Sequence, residues 1–131
     1  MTTQDLTEFT VLIEFAVPAD RQRELVQRLS AQIGAALPGV DGFRSATVQA
    51  SVGGGTVINY ARWATRAAWE TATGLDAAGI GERGEAAWAE NQRGQWFAAR
   101  AGLNPVAALL AELGAATRRV TTFEQSVAVI A

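Results

Sequence analysis

Apolar residues alternate with a period of two in some stretches of the chain and recur at helical spacing in others. From Phe9 to Val17, FTVLIEFAV puts Phe9, Val11, Ile13, Phe15 and Val17 on one face, and Leu12 and Ala16 keep the other apolar. This predicts a strand covered on both sides, with Glu14 half-buried. Pro18 ends it, and Asp20 is the expected cap of a helix of about five turns over RQRELVQRLSAQIGAAL. Leu25, Val26, Leu29, Ile33 and Leu37 form its apolar stripe, while Arg21, Arg23, Arg28 and Gln32 occupy the solvated side. Pro38-Gly39 and Asp41-Gly42 terminate it, and Phe43 to Val52 reads as a second strand. Gly53-Gly54-Gly55 then turns the chain back; no phosphate-binding glycine spacing accompanies this triple, so it reads as a hairpin.

The third strand runs into a helix over Thr56 to Trp69, TVINYARWATRAAW. Val57, Asn59, Ala61 and Trp63 alternate onto one face, and Ile58, Tyr60 and Arg62 onto the other. Thr65 is the expected N-cap of the following helix. One amide and two tryptophans are thus set around a single strand-to-helix corner, and the candidate chemistry is sought there.

Beyond Trp69, four glycines make residues 74–84 loop-like. Glu85 to Arg100 reads as helical, with Trp88 and Trp96 near one face. Asn104-Pro105 starts a further helix, on which Val106, Leu109, Leu110 and Leu113 form the buried stripe and Gly114 the stop. Val120 to Ile130 is expected to be one last strand. The order gives an α+β fold of βαββαβ type, with helices on one face of the sheet. Both faces of the sheet read as apolar, so the uncovered one predicts a homodimer packed sheet against sheet.

The 131 residues predict a single domain spanning 1–131, and a formal charge of −2 argues against nucleic acid as a partner. No apolar run approaches a bilayer span, and MTTQDLTEF lacks the features of a secretory leader, so a cytoplasmic protein without membrane partners is expected. The chain contains no Cys and no His, and all 11 basic residues are Arg. That excludes thiolate nucleophiles, imidazole bases, Cys- or His-ligated metals and a Lys Schiff base. Chemistry is left to Asp, Glu, Arg, Tyr, amides, hydroxyls and Trp.

The FTVLIEFAV strand, the Pro-Gly-x-Asp-Gly-Phe junction at residues 38–43 and the Trp-x-Thr corner at 63–65 resemble the antibiotic biosynthesis monooxygenase superfamily. Within it, Asn59, Tyr60, Ala61 and Trp63 match the Asn-Tyr-Ala-x-Trp motif of the cofactor-independent, quinone-forming monooxygenases of aromatic polyketide pathways. The resemblance implies a ferredoxin-like antiparallel sheet paired into a dimeric α/β barrel, and this chain departs from the family pattern by an extra helical insertion before the last strand. It implies oxidation of an anthrone or related phenol to a quinone by molecular oxygen, with neither metal nor organic cofactor. It also assigns the catalytic amide to Asn59 and the pocket indole to Trp63. The pocket arginine falls on Arg83, with Arg93 and Arg100 as alternatives because of the insertion. Trp69 stands where the family usually carries Tyr, so the phenol is absent here; Trp88 and Trp96 are further candidates for substrate binding.

Plainer readings stand beside these. Asn59 could be a strand amide bonded to neighbouring backbone, and the tryptophans could be core fillers. At the level of function, a polyketide cyclase of the same fold and a non-catalytic ligand-binding dimer are the alternatives. The absence of His counts against the cyclase.

Overall fold

The computed structural model describes residues 1–78 and 106–131. The elements are β1 (Thr2–Leu6), β2 (Phe9–Ala16), α1 (Gln22–Ala36), β3 (Phe43–Ala50), β4 (Thr56–Trp63), α2 (Arg66–Thr73), α3 (Val106–Leu113), β5 (Ala116–Phe123) and β6 (Ser126–Ile130). Four strands form one antiparallel sheet in the order β3-β4-β2-β5, the ferredoxin-like α+β arrangement. Among the described residues, β1 and β6 pair only with each other.

Alternation along β2 and β4 decides where the core lies. Phe9, Val11, Ile13 and Phe15 of β2, and Val57, Ala61 and Trp63 of β4, are buried. Against that face pack Leu25, Leu29 and Ile33 of α1, Trp69 of α2, and Val106, Leu109, Leu110 and Leu113 of α3. Helical spacing thus meets strand alternation on one shared surface. An ion pair at 2.7 Å between Arg28 on α1 and Glu112 on α3 links two of the helices. The opposite face of the sheet is mixed. Leu12, Ile58 and Tyr60 are partly buried there, interleaved with Glu14, exposed Gln49 and exposed Arg62.

The chain departs from the sequence reading at three places. Asp20 does not cap α1: residues Ala19–Arg21 form a 3-10 turn, and Arg21 takes the cap position with no side-chain hydrogen bond. The first turn is pinned instead by the Gln22 side chain, which donates to the carbonyls of Ser51 and Thr56, each at 3.0 Å. Second, the expected single last strand is broken at Glu124-Gln125 into β5 and β6. Third, β6 finds its partner in β1, whose sequence TTQDL carries no apolar alternation and predicted nothing. Pairing there is supplied by the backbone alone, and a period-two pattern cannot report it.

The turns match their residue types. Gly54 in the hairpin between β3 and β4 has φ +88°, a left-handed conformation that glycine enters without steric cost. The Ser51 side chain accepts from the Thr56 backbone N–H at 3.1 Å and closes the same turn. Gly42 has φ +81°, and a Cβ added there would meet the Ala68 Cβ at 2.4 Å. The two glycines of the Pro-Gly-x-Asp-Gly-Phe junction, Gly39 and Gly42, are therefore both in the left-handed region, and Gly42 also lets α2 approach the start of β3.

Candidate functional site

Asn59 occupies the helix-facing side of β4, as alternation requires. In register it lies opposite Ile13 on β2 and Val48 on β3, and Val57 and Ala61 flank it on its own face. Its neighbours on the sheet are thus all aliphatic. The side chain is 7% exposed, and its Oδ1 has no hydrogen-bond partner among the described residues. A buried amide oxygen in that condition costs about 1–3 kcal/mol, because water has been removed and nothing replaces it. Thr10 Oγ1 and Gln32 Oε1 are likewise buried without a partner among the described residues. Among the described residues, no backbone group satisfies the Asn59 oxygen.

Trp63 lies on the same face as Asn59, about 13 Å further along the strand at ~3.3 Å per residue. Only Ala61 intervenes on that face, and it is opposite Val11 and Ala46 in register. Two alanines side by side leave a low floor between the amide and the indole. Trp63 meets Phe43 edge to face, with ring centroids 5.4 Å apart and planes at 73°. Phe9 is opposite Trp63 on the other side, and its ring meets Trp69 at 5.4 Å. An aromatic row Phe43–Trp63–Phe9 thus crosses three strands, and Trp69 of α2 closes its end.

The corner between Trp63 and Trp69 is held by hydrogen bonds. Thr65 adopts extended backbone and its side chain accepts from the Ala68 N–H, as the sequence predicted. The Ala64 N–H donates to the Gly42 carbonyl at 2.7 Å, tying the corner to the start of β3. Gly74, left-handed at φ +72°, ends α2. Trp63 and Trp69 are 2% and 1% exposed, so both also serve the core. Arg83, Trp88 and Trp96, with the alternatives Arg93 and Arg100, lie outside the described residues.

A groove of about 220 Å³ runs beside this row, between α1 and β3. Ser30, Ile33, Gly34 and Pro38 line one side, and Phe43, Ala46 and Val48 the other. The sequence reading did not single it out. The available clue was Ser30 and Gly34, small residues one helical turn apart beside the apolar stripe of α1.

A charged cluster escaped the reading too. Glu8, only 4% exposed, accepts from Arg62 Nε at 2.9 and 3.1 Å and pairs with Arg44 at 3.4 Å. The hydrogen bond from Arg62 holds the Glu8 carboxyl below its ordinary range, against the opposing effect of burial. Arg62 alternates away from Asn59, which separates this cluster from the amide across the thickness of the sheet. Among the described residues no group of three or more His, Cys, Asp or Glu could hold a metal ion, and no helix is long and apolar enough to cross a membrane.

Residues 8–79 match the family described as antibiotic biosynthesis monooxygenase. Among solved structures, the chain is similar to a monooxygenase from the ActVA-Orf6 gene of Streptomyces coelicolor, in complex with nanaomycin D. That pair shares 21% identity over 95% of this chain and 90% of that chain, with a TM-score of 0.56. A conserved protein from Methanosarcina mazei matches at 12% identity over 92% of this chain and 94% of that one, TM-score 0.56. Protein SO0527 from Shewanella oneidensis matches at 13% identity over 98% and 100%, TM-score 0.55. These likenesses are of fold. No curated protein matches the chain.

Proposed function

Because the chain belongs to the antibiotic biosynthesis monooxygenase family, we propose that it oxidises an anthrone, or a related polycyclic phenol of polyketide origin, to a quinone with molecular oxygen and no cofactor. The observation that carries this reading is the Oδ1 of Asn59, buried on an otherwise aliphatic stretch of sheet with no hydrogen-bond partner among the described residues. That oxygen is available to accept from a substrate hydroxyl, while the Nδ2 amine of the same amide is the group that would donate to an enolate oxygen. The ActVA-Orf6 monooxygenase, described in complex with nanaomycin D, supports a small-molecule ligand of this kind.

In such a reaction the substrate supplies its own electrons. An activated C–H loses a proton to give a delocalised enolate, which passes one electron to oxygen. The carbon radical and superoxide combine into a C–O bond, and the peroxide takes up a proton. The second proton then leaves the same carbon as the O–O bond breaks. The carbon becomes a carbonyl, and hydroxide with the released proton makes water. The protein must stabilise the enolate and exclude solvent. Asn59 is assigned the hydrogen bond to the enolate oxygen or its neighbouring hydroxyl, and Arg83 the charge, which a guanidinium supplies without titrating. Trp63 and Trp69, with Trp88 and Trp96, are assigned the aromatic walls for a flat ring system.

We assign the partly apolar open face of the sheet, with Leu12, Ile58 and Tyr60, to a second copy of the chain. Light scattering that returned a monomer would remove that part. The oxidation is tested by oxygen uptake of metal-stripped protein given dithranol or emodin anthrone, against a buffer control. Accelerated uptake with quinone formation is expected; uptake no faster than buffer would leave the family without this reaction.

A further inference from the structure

We infer that the groove between α1 and β3 receives one terminal ring of the aromatic substrate, and that Gly34 sets how large a ring system enters. The inference rests on the functional reading above and gives that site its size limit.

The register sets the groove one strand away from the candidate site. Each β3 residue lining it stands beside a residue of the aromatic and amide row: Phe43 opposite Trp63, Ala46 opposite Ala61, Val48 opposite Asn59. Asn59, Ala61 and Trp63 are themselves buried and do not line the groove, so a ring edge seated against Phe43, Ala46 and Val48 would lie one strand away from them. Apart from Ser30 at its rim, the side chains lining the groove are apolar, which suits a ring edge. Its volume of about 220 Å³ is below the ~300–1,000 Å³ of whole-ligand pockets, so it accommodates part of a polycycle.

Gly34 controls the width. A Cβ built on it meets nothing within 4 Å, although the residue lies inside helix α1. Glycine disfavours helix, so its presence here is not explained by propensity. Nor does a tight packing contact require it. Open space beside Gly34 is space that a longer side chain would fill.

Gly34→Leu and, one turn earlier, Ser30→Leu test this, with Gly34→Ala as the control that adds only a methyl. Binding of 1,8-dihydroxyanthraquinone and of bicyclic 1-naphthol is measured by calorimetry, and oxygen uptake with dithranol gives KM and kcat. Gly34→Leu should weaken binding of the tricycle about tenfold or more and raise KM for dithranol with kcat nearly kept, while 1-naphthol changes less than about twofold. Gly34→Ala should stay close to wild type. If Gly34→Leu binds the tricycle as tightly as wild type, or loses both ligands alike, the inference is overturned. Wild-type protein that binds neither ligand overturns it as well. Selective loss of the tricycle in a protein that takes up no oxygen upholds the groove and removes the oxidation.

Discussion

The side-chain oxygen of Thr65 accepts a hydrogen bond from the Ala68 backbone N–H at 3.1 Å, and this contact fixes the angle at which β4 gives way to α2. Trp63 ends the strand before it, and Trp69 lies on the helix after it. Thr65→Ala should therefore lower stability by about 1 kcal/mol, the usual loss for an N-cap. Thr65→Ser should restore most of it. Equal melting temperatures for the alanine variant and wild type would show that the corner is held by packing alone.

Asn59 should give opposite signs in stability and in activity. Asn59→Leu removes a buried, unpartnered oxygen and supplies aliphatic surface, so unfolding free energy should hold or rise by about 1 kcal/mol. Asn59→Ala and Asn59→Leu should each slow anthrone oxidation by roughly 10²–10³-fold, the loss expected for one donor at a developing oxyanion. Trp63→Phe should also slow oxidation while leaving the assembly state intact. A stability loss above about 2 kcal/mol in Asn59→Leu, with oxidation unchanged, would make the amide structural.

Gly42→Ala should be among the most damaging single-methyl additions. It forces a left-handed φ of +81° on alanine and places a Cβ 2.4 Å from that of Ala68. The backbone conformation alone costs about 1–2 kcal/mol, and relief of the clash means moving α2. The paired change Gly42→Ala with Ala68→Gly should recover the clash but not the backbone cost, as a chemical-denaturation cycle would show.

Acid stability should depend on Glu8. Its folded pKa lies below the ordinary 4.5, chiefly through the hydrogen bond from Arg62, with Arg44 assisting. A carboxylate of that kind stabilises the fold above its unfolded pKa, and the contribution is lost as pH falls through the lower folded value. Glu8→Gln should be less stable than wild type at neutral pH and should flatten the melting-temperature curve below pH 4.5. Parallel curves for the two proteins would show that the pair contributes nothing to acid sensitivity.

Much of the fold could be read from the chain because its signals were local. Alternation in FTVLIEFAV and TVINYARW placed β2 and β4, and the faces they were given are the faces they adopt. Thr65 capped as expected because an N-cap needs only its own next turn. What escaped was set by distant partners. The Gln22 side chain anchors to Ser51 and Thr56, contacts that no window around Asp20 could contain. β1 exists because β6 pairs with it, and TTQDL carries no apolar face that would announce it. For the site, the motif marked Asn59 and Trp63, but the isolation of Oδ1 and the groove beside Gly34 emerge only once three strands and a helix are assembled.

The sheet order β3-β4-β2-β5 also has a consequence in time. β2 is the earliest strand of this sheet and lies in its interior, with Ala16 paired to Ala116 on the β5 side. On a ribosome adding ~5–20 residues per second, the ~100 intervening residues leave that edge of β2 open for roughly 5–20 s after it emerges. Throughout that interval an apolar strand carrying Val11, Ile13 and Phe15 offers unpaired backbone to any other nascent chain. Yield in cells should therefore be governed by how β2 is sheltered during synthesis, and slower translation should lengthen its exposure.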